Sequence, residues 1–213
     1  PTLRRQRQMC IRDRSNAGNA VIAHTDGPEG INKNGHGEVF DVDSQMRMSA
    51  TFGAHLAGDP RLSVLFAPGS SNAAGEIIGM PNGRTSDDYT GADGQTYAGI
   101  ADRHIYAQTH PALRKKDVPM VLLTTAEVHF LIGEAIIRGW VSGDAKTYYD
   151  AGVTAAMTML ADFYPDSTPI AQADIDAFLA GPGAYDSSKG WEMLMNEYWN
   201  CLLYTSDAAD EVL

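Results

Sequence analysis

Between Thr124 and Leu160 the apolar residues fall on two successive helical stripes. Val128, Leu131, Ile132, Ala135 and Ile136 recur at i, i+3, i+4, i+7 and i+8, the spacing that puts side chains on one face of an α-helix. Tyr149, Val153, Ala156, Met157 and Leu160 repeat that period after a connection, Gly139 to Gly143, with enough glycine for the chain to reverse. The pattern predicts an antiparallel helical hairpin within the stretch from Pro119 to Pro165. Thr124 and Glu127 stand at capping-box spacing, which starts the first helix near Thr124 rather than at Pro119. Asp144 is the expected N-cap of the second helix.

Outside the hairpin the signals are shorter. Val42 to Ala57 reads as a helix with Asp43 or Ser44 near its start and Gly58-Asp59-Pro60 as its stop. Residues 15–40, before it, are rich in Gly and Asn. Arg61 to Ala67 and Glu76 to Gly79 are expected to pair as short strands, and 68–118 otherwise reads as one long extended connection, functional or packed over helices. After Pro165 a short helix, Ala173 to Ala180, stops at Gly181-Pro182-Gly183. Trp191, Leu194, Met195 and Tyr198 then trace a last apolar face from about Ser187. The predicted class is mainly α with long loops.

The hairpin resembles one repeat of the tetratricopeptide class: small residues Gly133, Ala145 and Gly152 stand where two backbones approach closely, with bulky Tyr149 between them. No proline ends the unit where that repeat expects one. A second resemblance surrounds it. Pro119 to Gly139 (PMVLLTTAEVHFLIGEAIIRG), then Gly143-Asp144-Ala145 and Tyr148-Tyr149, and upstream Asp59-Pro60-Arg61-Leu62, are similar to the SusD/RagB family of outer-membrane nutrient-binding lipoproteins. Two departures are Gly133, where the family usually has alanine, and Asn196 to Trp199, which only loosely resembles a later glutamine-lysine-tryptophan helix. The resemblance implies a SusD-like fold with tetratricopeptide-type hairpin packing. It implies non-catalytic capture of an oligosaccharide or other nutrient at the cell surface, and delivery to a SusC-like TonB-dependent transporter of the outer membrane. Membrane attachment would come only through a lipid anchor outside this chain.

The two chain ends carry a signal of their own. Back-translated, Arg4 to Asp13 (RRQRQMCIRD) has a reverse complement that encodes, one frame over, Cys201 to Asp210 (CLLYTSDAAD). That DNA resembles a sequencing-library adaptor, so residues 1–14 and 201–213 are expected to be artefact tails flanking a partial SusD-like domain at 15–200. Without the tails, 11 basic residues face 23 acidic ones, a net charge of −12 against −11 for the whole chain. Such a balance argues against nucleic-acid binding and against docking on anionic lipid. Both cysteines, Cys10 and Cys201, lie in the tails, which leaves no expected disulfide, thiolate metal site or catalytic thiol.

Little else points to chemistry. Glu127 and Glu134 lie on one helical face, as a pair of glycosidase carboxylates would. Glu127 can instead cap its helix, and Glu134 can pair with Arg138 at i+4. His129 is read as an ordinary helix residue. Asp87, Asp88 and Asp93, with Gly94 and Gln95, form an acidic loop open to a hard cation, but their order fits no EF-hand and turn roles suffice. Asn32-Lys33-Asn34-Gly35 lacks a closing glutamate. No phosphate-binding loop, nucleophile elbow or cofactor motif is present. Tyr89, Tyr97 and Tyr106 remain, set in a polar loop among Asp, Asn, Gln and Thr; rings beside polar groups are what a sugar stacks on and bonds to. They are the expected ligand-binding residues. Trp140, Trp191 and Trp199 are more easily explained as packing. A tetratricopeptide-type protein scaffold and a helical glycoside hydrolase using the glutamates are the competing functions.

Overall fold

The computed structural model of the protein describes residues 15–27, 32–42 and 46–202. Its helices are α1 (Gly35–Val42), α2 (Ala50–His55), α3 (Leu62–Leu65), α4 (Thr125–Ile137), α5 (Ala145–Phe163), α6 (Gln172–Ala180) and α7 (Gly190–Leu202). Short strands β1 (Ala20–Ile22), β2 (Phe66–Ala67), β3 (Tyr89–Thr90), β4 (Thr96–Tyr97), β5 (Gln108–Thr109) and β6 (Met120–Leu123) form three antiparallel pairs, β1 with β6, β2 with β5 and β3 with β4. The fold is mainly α, as expected.

The α4–α5 hairpin is the centre of the molecule. Thr124 Oγ1 accepts from the Glu127 N–H at 3.0 Å while Glu127 Oε2 accepts from the Thr124 N–H at 2.7 Å, a complete capping box that satisfies two otherwise orphaned donors. Asp144 caps α5 by accepting from the Lys146 N–H at 3.2 Å. Between them Gly139 adopts φ +72°, the left-handed conformation that closes α4 at small cost only for glycine. Phe130, Tyr149, Val153, Ala156, Met157 and Leu160 are buried along the seam.

The small residues of the hairpin do two different jobs. A Cβ on Gly152 would stand 2.4 Å from Phe130 Cε1, so the absent side chain is what lets the Phe130 ring lie against α5. Gly133, in contrast, faces a third helix: its Cβ would meet both Leu194 methyl groups of α7 at 3.2 Å. Expected close approach within the hairpin thus becomes close approach of α7, which lays Leu194 into the groove beside α4.

Four expectations are corrected outside the hairpin. Of the single helix expected from Val42 to Ala57 only α2, Ala50–His55, is found, capped by Ser49; α1 ends at Val42 and Met46 to Met48 are not helical, with Met48 bonded through its backbone to Ala107 and Met80. Asn34, buried in the Asn-rich stretch, opens α1 by bonding the Val118 carbonyl at 2.9 Å. Arg61 to Ala67 is mostly helix α3, and its β2 end pairs with β5 rather than with Glu76 to Gly79, which holds no strand. The approach to α4 from Met120 is strand β6, unforeseen, and it zips to β1 at the start of the described chain. Asn16 and Asn19 reinforce that closure through bonds to α5 and to the Thr125 N–H. The last helices match expectation closely: α6 stops at Gly181, and α7 carries the apolar face led by Leu194.

The tails expected to be artefacts lie outside the described residues, except Cys201 and Leu202, which finish α7, with Cys201 buried. Among the described residues no helix is long and apolar enough to cross a membrane.

Candidate functional site

Within the long connection, β3 and β4 form a small antiparallel hairpin. β3 and β4 pair with Tyr89 and Tyr97 as direct cross-strand partners, so two of the three expected ligand-binding tyrosines share one rung. The Gly91 N–H reaches the Gln95 carbonyl at 2.8 Å and Asp93 Oδ1 accepts from the Gln95 N–H at 3.0 Å, with Gly94 at φ +77° turning the chain. Below the rung Asp88 Oδ1 accepts from the Gly99 N–H at 2.7 Å. Gly99 is required there, because a Cβ would stand 2.4 Å from the Ser86 carbonyl. Arg84 adds a bond to the Ala98 carbonyl at 2.9 Å.

Tyr106 belongs to a different element. It follows a 3₁₀ turn at Arg103–Ile105, capped by Asp102, and its N–H bonds the Arg103 carbonyl at 3.2 Å. It is half-buried beside the Met48–Ala107–Ile78 backbone contacts. The three tyrosines are thus a pair on one hairpin and a third on the segment that returns to the core. Asp88 and Asp93 of this loop serve its turns, and among the described residues no cluster of histidine, cysteine and carboxylate side chains suits a metal.

The glutamates proposed for hydrolysis are occupied in the helix. Glu127 is buried in the capping box, and Glu134 Oε1 accepts from Arg138 Nε at 2.7 Å. Burial lowers the pKa of His129, whose ring lies 6.0 Å from that of Tyr148.

A second polar centre went unread in the sequence beyond its Asp-Pro-Arg turn. Arg61 is fully buried, 0% exposed; its guanidinium forks onto the Asp59 carboxylate and reaches Glu197 Oε2 of α7 at 2.8 Å. The Phe178 ring of α6 lies 5.9 Å from the guanidinium carbon. Two carboxylates and one cation therefore join the α2–α3 turn to α6 and α7. Burial and the nearby Glu197 charge raise the pKa of Tyr149 far above the ordinary phenol value, so its hydroxyl stays protonated. The signal missed was that a turn motif and an acidic residue on a distant helix have a common partner.

Of the tryptophans, Trp199 packs edge-on to Phe52 at 5.0 Å between ring centroids. Trp140 is 70% exposed and Trp191 41%, and Arg138 lies between them, 5.2 and 4.4 Å from the two rings. They form a rim rather than core.

A capped helical hairpin with a third helix laid across it, carrying long loop excursions, defines a mainly α protein. The family model described as SusD-like, starch-binding and associating with the outer membrane, matches residues 8–209, and the chain belongs to that family. Among solved structures, a chitin-binding protein is 27% identical over 89% of this chain, with a TM-score of 0.71. A Bacteroidetes SusD-like protein (21% identical over 89% of this chain, TM-score 0.71) and a SusD homologue from Bacteroides fragilis (20% over 90%, TM-score 0.67) have the same fold. The chain spans 41%, 48% and 43% of the length of these three proteins. No curated protein sequence matches it.

Proposed function

We propose that this chain is part of a non-catalytic, surface-exposed lipoprotein of the outer membrane that captures an oligosaccharide and passes it to a SusC-like TonB-dependent transporter. The observation that carries the reading is the match over residues 8–209 to a family described as starch-binding and outer-membrane-associated. The similarity to a chitin-binding protein supports a glycan over other nutrients. Tyr89, Tyr97 and Tyr106 are the residues assigned to stack on the sugar, because rings in a polar setting serve both faces of a carbohydrate.

Affinity electrophoresis of the protein in gels containing starch, chitin derivatives and other polysaccharides tests this. Retardation by at least one glycan is expected, and it should be lost in Tyr89→Ala or Tyr97→Ala. Uniform migration across the panel overturns the reading, and release of reducing sugar from the retained glycan would favour the hydrolase instead. For the transporter, the tagged protein expressed in its source cells should copurify with a TonB-dependent barrel; recovery of the protein alone counts against that partner.

A further inference from the structure

The chain contains two Asn-Gly pairs, and the fold treats them in opposite ways. Asn34-Gly35 is held shut. Asn34 is 6% exposed, its Nδ2 donates to the Val118 carbonyl at 2.9 Å, its Oδ1 accepts from the Gly37 N–H at 3.4 Å, and its own N–H bonds the Lys116 carbonyl at 2.7 Å. Gly35 is the first residue of α1, so the backbone that follows the asparagine is fixed in the helix.

Asn82-Gly83 is open. Asn82 stands exposed in a turn, and its side chain has no hydrogen-bond partner among the described residues. Gly83 turns the chain at φ +71°, with open space where a side chain would stand, so nothing on the following residue shields its nitrogen from the asparagine. The chain is pinned on both sides of this turn. The Met80 N–H bonds the Met48 carbonyl and the Met80 carbonyl accepts from the Ala50 N–H, both at 2.7 Å, while the Thr85 carbonyl accepts from the Ile100 N–H at 2.8 Å, below the tyrosine hairpin.

We propose that Asn82 is a site of spontaneous deamidation and isoaspartate formation, and that the fold protects Asn34 from the same reaction. The Gly83 amide nitrogen gives its proton to base and attacks Asn82 Cγ; a C–N bond forms, the bond from Cγ to the side-chain nitrogen breaks, and ammonia leaves with a proton from water. The product is a cyclic imide. Water then opens it at Cγ to give aspartate, or at the main-chain carbonyl carbon to give isoaspartate, whose backbone runs through Cβ and Cγ. Nothing is oxidised or reduced, and solvent water is the only co-reactant. Both products put a carboxylate next to Arg84 in the chain. Isoaspartate also lengthens the main chain between Met80 and Thr85, two fixed points, so the turn or the Arg84 bond to the Ala98 carbonyl must give way.

Ageing the protein in mildly alkaline buffer, with and without denaturing urea, and reading its tryptic peptides by tandem mass spectrometry tests the assignment. Deamidation registers as the mass change from a side-chain NH₂ to OH, and an isoaspartate-specific carboxyl methyltransferase marks the iso form with a methyl group from S-adenosylmethionine. Folding should slow Asn34 at least about tenfold relative to urea, because it reacts only from locally opened molecules, and should slow Asn82 far less. The peptide Leu62–Arg84 from aged folded protein should take up the methyl label, and in Asn82→Gln that label should be lost while circular dichroism stays unchanged, since the longer side chain closes its ring much more slowly. An Asn82 that stays unmodified, an Asn82 slowed by folding as much as Asn34, or a label on Leu62–Arg84 that persists in folded Asn82→Gln overturns the proposal.

Discussion

Arg61 is where one side chain decides most. Its charge is taken wholly out of water and is tolerable because Asp59 and Glu197 surround it. Replacing it with methionine fills similar space but strands two buried carboxylates. Arg61→Met is therefore expected to lower unfolding free energy by about 3–5 kcal/mol, read from the urea midpoint at constant slope. His129 offers a gentler test. Burial holds its folded pKa below the ordinary 6.5, so as pH falls the unfolded chain takes up the proton first. Stability is then fully present above the unfolded value and declines as pH drops below it toward the lowered folded value. His110 acts in the same direction, through burial first and the Arg114 charge second. Tm should decrease from about pH 7.5 to about 5.5, and the decrease should be shallower in His129→Leu. A slope identical to wild type would remove His129 from the account.

At the scale of elements, the capping box is the part whose energetics can be isolated. Thr124→Ala removes the hydroxyl that accepts from the Glu127 N–H and should cost about 1 kcal/mol, up to about 2, in chemical denaturation, with α5 unaffected. What could be read in advance follows from the range of the forces involved. The boundaries of α4, α5, α6 and α7 came from signals carried within a few residues: Thr124 with Glu127, Asp144, Gly139 and Gly181. The apolar stripe read on α5 is buried, but the one read on α4 is not its core face: Leu131 is 48% exposed and Val128, Ile132, Ala135 and Ile136 are half-buried, while Ala126, Phe130 and Gly133 are buried. Strand β6 was hidden because Met120 to Leu123 is a bare apolar run whose partner, β1, lies at the other end of the described chain. Arg61 to Ala67 carried the apolar residues of a strand, yet the Asp59 carboxylate accepting from the Arg61 N–H and the turn that follows start a helix. Tertiary partners also explain Gly133. In the helix alone it is a weakness of roughly 1 kcal/mol, while in the fold it is the seat of Leu194.

For the whole molecule, the surplus of acidic residues bears on which glycans can approach. At a net charge of −11, a sulfated or uronate-rich polysaccharide is repelled and a neutral one is not. Retardation by neutral glycans should hardly change between low and physiological salt. Any binding of a sulfated counterpart should be weakest at low salt and strengthen as ions screen the repulsion. The opposite trend would point to a local basic site that overrides the global field. The candidate site was only half legible at this scale. Tyr89 and Tyr97 could be singled out as ring-bearing residues in a polar loop, but their place on one rung depends on pairing across a five-residue turn. The Arg61 centre left no local trace beyond its turn, since Asp59, Phe178 and Glu197 meet around it only when α6 and α7 fold back on the α2–α3 turn.

That same junction governs how the molecule can come apart. Were α7 to peel off alone, Arg61 would lose its Glu197 contact and keep Asp59 as its acidic partner, while Glu197 would leave the buried cation behind, and the Gly133 notch would lose Leu194 in the same motion. The final helix is thus latched at two independent points, one ionic and one steric. Local fraying there is suppressed, and loosening of the C-terminal layer is tied to loss of the turn that begins α3.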